Sequence, residues 1–152
     1  MLRRITEAYK KSPHFTSAFP LIEDCILCNE NNLFRFIFYS LEQLKNYFNI
    51  PARLIISSSV SIDHALKSEM KVIEICRALK ATAYINPLGG TGLYSQKNFA
   101  DRGIGLSFLK SNEIIYPQFN NKFIPWLSMI DVMMFNSKEK IKEYLSSGYT
   151  LI

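Results

Sequence analysis

The chain has little of what marks a specialised architecture. Among its 152 residues are only three cysteines, Cys25, Cys28 and Cys76, and two histidines, His14 and His64. An odd number of irregularly spaced cysteines argues against a disulfide framework and for a reducing compartment, so a cytoplasmic location is expected. Cys25 and Cys28 form a C-x-x-C, yet they lie in an apolar, helix-patterned run, and no second Cys or His pair completes a zinc site. They are read as apolar packing residues, and no metal is expected. Neither histidine has a nucleophile or ligand set around it, and no Ser-His-Asp order or zincin motif can be read, so hydrolase and metalloenzyme chemistry lacks support. No basic run is interleaved with aromatics, which speaks against a nucleic-acid partner. No apolar segment approaches the roughly 20 residues of a membrane span, and Met1 to Glu7 lack the continuous apolar core of a secretory signal. Repeats, linkers and low-complexity tracts are also missing.

Apolar residues, by contrast, make up 48% of the chain. That is ample for a core, and the length suits a single domain over residues 1–152. A net charge of +5 favours anionic partners, among them phosphorylated small molecules such as nucleotide sugars.

Periodicity predicts helices over Leu2 to Lys11, about Thr16 to Cys28, and Leu33 to Phe48. In the third, Leu33, Ile37, Leu41, Leu44 and Phe48 recur at helical spacing, Phe34 and Phe38 widen the stripe, and Asn31 or Asn32 can cap the start. This aromatic-rich helix is expected to be buried. Pro51 then breaks the chain and the period changes. Arg53 to Ser57 reads as a buried strand, Ser68 to Lys80 as a helix and Thr82 to Ile85 as a second strand, which together make a βαβ unit. Beyond them, Ser95 to Arg102 is predicted as a short helix and Ile104 to Leu109 as a third strand. A helix is expected to start near Pro125 and a last one to run from Ser137 to Leu145. The fold class is thus α/β: a small parallel three-stranded sheet with flanking helices and a helical N-terminal third.

In parallel α/β sheets ligands bind beyond the carboxyl ends of strands, where loops and helix N-termini present backbone N–H groups. Three loops qualify: Ser57-Ser58-Ser59, Asn86 to Gly92, and Lys110-Ser111-Asn112. The middle one carries Gly89, Gly90 and Gly92, which let backbone approach a ligand or simply make a tight turn. Asp131 is a carboxylate in an apolar run and needs a partner if buried. It either forms a salt bridge, for which Arg53 and Arg102 are candidates, or serves catalysis. Tyr116 and Gln118 lie in a polar, aromatic loop over residues 116–121, a usual place for ligand contacts.

At these residues the sequence resembles the WbqC-like family of bacterial proteins encoded among genes for O-antigen and other surface polysaccharides. The resemblance is carried by Tyr84-Ile85-Asn86-Pro87 with Gly89-Gly90, Leu93-Tyr94, Phe99, Gly103-Ile104, Tyr116 with Gln118, and above all Phe123-Ile124-Pro125-Trp126-Leu127-Ser128-Met129-Ile130-Asp131-Val132-Met133-Met134-Phe135-Asn136. Weaker similarity extends to Ala8 through Phe15. The resemblance implies a transferase-like role in lipopolysaccharide or other surface polysaccharide biosynthesis, namely acyl or aminoacyl transfer to the amine of a nucleotide-linked amino sugar. Asn86, Gly89, Gly90, Tyr116 and Gln118 would bind the substrate, and Asp131 would orient or deprotonate the amine. Family members normally begin with a further strand ending in Met-Gln-Pro. Its absence here implies an N-terminally shortened form with apolar surface in need of cover, and hence an alternative role as a non-catalytic binding or scaffolding subunit, as an oligomer or with a protein partner.

Overall fold

The computed structural model describes residues 1–120 and 122–152. In chain order its elements are α1 (Leu2–Tyr9), α2 (Phe15–Leu27), α3 (Leu33–Tyr47), α4 (Ser68–Ala78), β1 (Ala83–Pro87), α5 (Gln96–Ala100), β2 (Gly105–Ser111), α6 (Met129–Phe135), α7 (Lys138–Ser147) and β3 (Tyr149–Leu151), with single 3₁₀ turns at Ser57–Ser59 and Leu88–Gly90. No helix among the described residues is long and apolar enough to cross a membrane. The α/β class and the helical first third agree with the sequence reading. The chain divides into two compact units, one formed by residues 1–53 and 113–148 and the other by 54–112 and 149–152.

The first unit is helical. Each helix start is set locally where the sequence offers a cap: Asn32 Oδ1 accepts from Arg35 N at 3.1 Å to open α3, and Ser137 Oγ accepts from Lys140 N at 3.2 Å to open α7. The core is centred on α6, whose Val132, Met133, Met134 and Phe135 are all buried, with Ala18 and Ile22 of α2, Phe48 and Ile141 packed around them. Edge-to-face packing of Phe135 with Tyr9, at 6.1 Å between ring centroids, ties α1 to α6.

Two sequence expectations fail in this unit. The helix expected from Pro125 begins only at Met129, because Trp126 holds a left-handed backbone (φ 59°) that no right-handed helix accommodates. Ser128 caps the true start, its Oγ accepting from Ile130 N at 3.2 Å. More consequentially, α3 has no buried residue at all. Leu44 and Tyr47, near its end, pack against the core, but Leu33, Phe34, Ile37 and Leu41 are each about half exposed or more. The apolar stripe of α3 is wider than the face of α2 packed against it can cover.

The second unit holds the sheet, in the order β1-β2-β3. Parallel pairing of β1 with β2 runs from Ala83 opposite Gly105 to Pro87 opposite Leu109. Strand β3 pairs antiparallel with β2, Leu109 facing Leu151 and Ser111 facing Tyr149. The sheet is therefore mixed rather than parallel throughout, and its third strand is the C-terminal one instead of Arg53 to Ser57. That segment has no ladder partner, and Leu54, Ile55 and Ile56 are exposed, so a short β-branched run that reads as a buried strand stays outside the sheet. Alternation along β2 buries Leu106 and Phe108 on one face. They meet Ile73 and Cys76 of α4 and Phe99 of α5, while Tyr84 of β1 stacks on Phe99 at 5.4 Å. Gly103 ends the α5 turn with φ 71°, a conformation that favours glycine.

Candidate functional site

Asp131 sits in the first turn of α6 and is 5% exposed. A carboxylate so placed must satisfy its oxygens internally, and three neutral donors do so. Tyr116 donates its hydroxyl to Oδ1 at 2.8 Å, Gln118 donates Nε2 to the same oxygen at 3.1 Å, and Tyr9 donates its hydroxyl to Oδ2 at 2.9 Å. The amide of Gln118 is itself held in register, since Ile124 N donates to its Oε1 at 2.8 Å and its Nε2 also reaches Ile124 O at 3.0 Å. That second pair of bonds fixes which end of the amide faces the carboxylate.

No cation completes this arrangement. The ion pairs among the described residues, Arg3 with Glu7, Glu74 with Arg77, Lys97 with Asp101 and Lys140 with Glu143, are all helix-surface pairs that leave Asp131 out. Arg53 and Arg102, the partners foreseen for a salt bridge, do not provide one; Arg102 donates instead to Asn98 O at 2.9 Å within the second unit. A carboxylate offers about four lone-pair positions, and three are occupied, two on Oδ1 and one on Oδ2. The remaining position on Oδ2 can accept one more donor.

Burial first, and the hydrogen bond to Asp131 second, push both the Tyr9 and Tyr116 hydroxyls up to about 12. Both phenols therefore remain protonated donors throughout the neutral range. Beside them is a cavity of about 210 Å³ whose lining includes Tyr9, Gln118, Phe119, Leu127, Asp131 and Phe135. Aromatic walls around one buried carboxylate suit a compact cationic group, which gains from both the charge and the ring faces. Phe119 lines this cavity with φ 51°, and Trp126, 70% exposed, lies next to Leu127 with φ 59°. Left-handed backbone at two bulky aromatics is unfavourable in isolation and concentrates at functional surfaces.

Tyr116, Gln118 and Asp131 are thus brought within hydrogen-bonding distance in the first unit. The residue that sequence reading missed is Tyr9, more than a hundred positions upstream of Asp131; its sequence signals are its place in the weaker resemblance over Ala8 to Phe15 and the i, i+4 spacing from Ile5 that puts both on the core face of α1. Of the polar loop over residues 116–121, Asn121 lies outside the described residues. Asn86, Gly89 and Gly90 belong to the second unit, at the carboxyl end of β1. Gly90 is buried, and a Cβ there would run into the Asn86 side-chain amide, so its glycine has a packing reason. At Gly89 a Cβ would meet nothing within 4 Å, which leaves room for close approach from outside. Among the described residues no group of three or more His, Cys, Asp or Glu side chains is placed to hold a metal ion.

A family model described as the WbqC-like protein family matches residues 1–143 of the chain. Comparison with curated proteins and with solved structures gives no match.

Proposed function

The chain belongs to the WbqC-like protein family, and on that premise we propose that it acts in bacterial surface polysaccharide biosynthesis, transferring an acyl or aminoacyl group to the amine of a nucleotide-linked amino sugar. The observation that carries this reading is the buried Asp131 carboxylate, held by Tyr9, Tyr116 and Gln118, free of any cation and lining a small aromatic cavity. A sugar ammonium group supplies both the missing charge and a donor for Oδ2. In the reaction the ammonium gives one proton to Asp131, the amine nitrogen bonds to the carbonyl carbon of an activated acyl donor, the bond to the leaving group breaks with its electron pair going to that group, and the second proton that the nitrogen sheds on becoming an amide leaves with that group. Tyr9, Tyr116 and Gln118 keep the carboxylate aimed. Asn86, Gly89 and Gly90 are proposed as substrate-contacting residues in their own right, because Gly89 has no packing reason to lack a side chain.

The test is product formation. Protein incubated with an amino-sugar nucleotide and an activated acyl donor should give the N-acylated sugar by mass spectrometry, and Asp131→Asn should slow it at least about a hundredfold, within the usual range for a general base. Turnover unaffected by Asp131→Asn would sink the assignment. Gly89→Ala should leave stability within about 0.5 kcal/mol of wild type while weakening substrate binding.

A second reading, a non-catalytic binding or scaffolding subunit of a polysaccharide-biosynthesis complex, is favoured by the exposed apolar residues of α3. Light scattering separates the two: a monomer that turns over substrate supports the first, and an inactive chain that assembles through α3 supports the second.

A further inference from the structure

Helix α6 lines a second cavity with different residues. Where Asp131 and Phe135 face the aromatic pocket, Met129, Ile130 and Met133 line a half-open cavity of about 290 Å³ together with Met1, with Leu21, Ile22 and Cys25 of α2 and with Phe36 and Leu44 of α3. Only two hydroxyl side chains reach its wall, and both are already engaged: Ser40 Oγ donates to Ile37 O at 2.8 Å, and Ser128 Oγ accepts from Ile130 N at 3.2 Å. Cys25 contributes a thiol whose ionisation is pushed up, mainly by burial, so the sulfur is present as a weakly polar S–H. No side chain in the wall offers a charged or unsatisfied polar group to a ligand.

Volume narrows the occupant further. A cavity of about 150 Å³ holds one benzene ring, so 290 Å³ holds an apolar group of about eight to ten carbons. We propose that this cavity between α2, α3 and α6 is a binding site for an alkyl chain of about eight carbons, separate from the Asp131 site.

Cys25 is a built-in reporter. The full chain is treated with N-ethylmaleimide at pH 8, with and without 1-octanol, and the modification of Cys25, Cys28 and Cys76 is followed separately by peptide mass mapping. The expected result is saturable protection of Cys25, slowed at least about fivefold, with the rates at Cys28 and Cys76 unchanged. In Ser40→Leu, which fills the cavity from a half-buried position, octanol should no longer change the Cys25 rate; the circular dichroism spectrum confirms that the variant is folded. Equal slowing of all three cysteines, no slowing, or undiminished octanol protection in Ser40→Leu overturns the proposal. So does protection of Cys25 that rises with protein concentration in the absence of octanol, because the occupant is then a second copy of the chain. Octanoyl pantetheine and dioctanoyl phosphatidylcholine, offered in place of octanol, distinguish a carrier-borne acyl chain from a lipid tail, and selective protection by either supports the site.

Discussion

Helices α3 and α6 invert what their sequences advertise. The fifteen residues of α3 carry the most conspicuous apolar stripe in the chain, and none of them is buried. The seven residues of α6 include a carboxylate, yet everything from Asp131 to Phe135 is buried. Periodicity reports that a helix has an apolar face; it does not report how much neighbouring surface exists to cover it. For α6 the cover over Asp131 to Phe135 comes from α1, α2 and the loop at Tyr116, and the carboxylate is tolerated because donors on two of those segments reach it. For α3 only the C-terminal end finds the core.

This contrast is sharpest in stability measurements. Met134→Ala should be the most damaging change, at about 3–4 kcal/mol by chemical denaturation, since Met134 is fully buried and its loss opens a cavity at the centre of the first unit. Next comes Asp131→Ala, which strands two phenols and one amide without their acceptor and should cost roughly 2–3 kcal/mol. Leu41→Ser on α3 should change stability by no more than about 0.5 kcal/mol. A cost at Leu41 equal to that at Met134 would erase the distinction and show that α3 is covered in solution.

Alkaline titration sharpens the α6 side alone. Tyr9 and Tyr116 ionise near 10 when unfolded and near 12 when folded. A raised folded-state value means that the stability they contribute is complete below pH 10 and is lost as pH rises from 10 to 12. Phenolate absorbance should therefore lag in the native protein, and in Asp131→Asn the two tyrosines should titrate closer to pH 10. An unchanged titration in that variant would mean that the carboxylate does not hold the phenols.

Much of this was legible in the sequence. Each long helix is found within two residues of its expected bounds because capping and periodicity are local properties. Asn32 caps α3 as its side chain allows, and Gly103 marks the end of the α5 segment. Tyr116 and Gln118 stand out in the sequence as loop residues suited to ligand contact and Asp131 as a carboxylate in need of a partner, but nothing in the sequence joins the three, and the partners expected for Asp131 are Arg53 or Arg102 rather than neutral donors. What stayed hidden depends on distant partners. Leu54 to Ile56 have strand chemistry but no ladder, β3 becomes a strand only by lying against β2, and Tyr9 acquires its role by meeting Asp131 across the fold. Trp126 misled for another reason, since a left-handed residue after Pro125 moves the helix start to Met129 without any glycine to announce it.

The most direct test of a buried carboxylate waiting for an amine is calorimetric titration of the protein, and of Asp131→Asn, with UDP-glucosamine and UDP-N-acetylglucosamine. The wild type is expected to bind the free-amine sugar at least about tenfold more tightly than its acetylated counterpart, a difference of roughly 1.4 kcal/mol, and Asp131→Asn is expected to lose that preference. Equal affinity for the two sugars in the wild type, or a preference that survives in Asp131→Asn, would contradict the account.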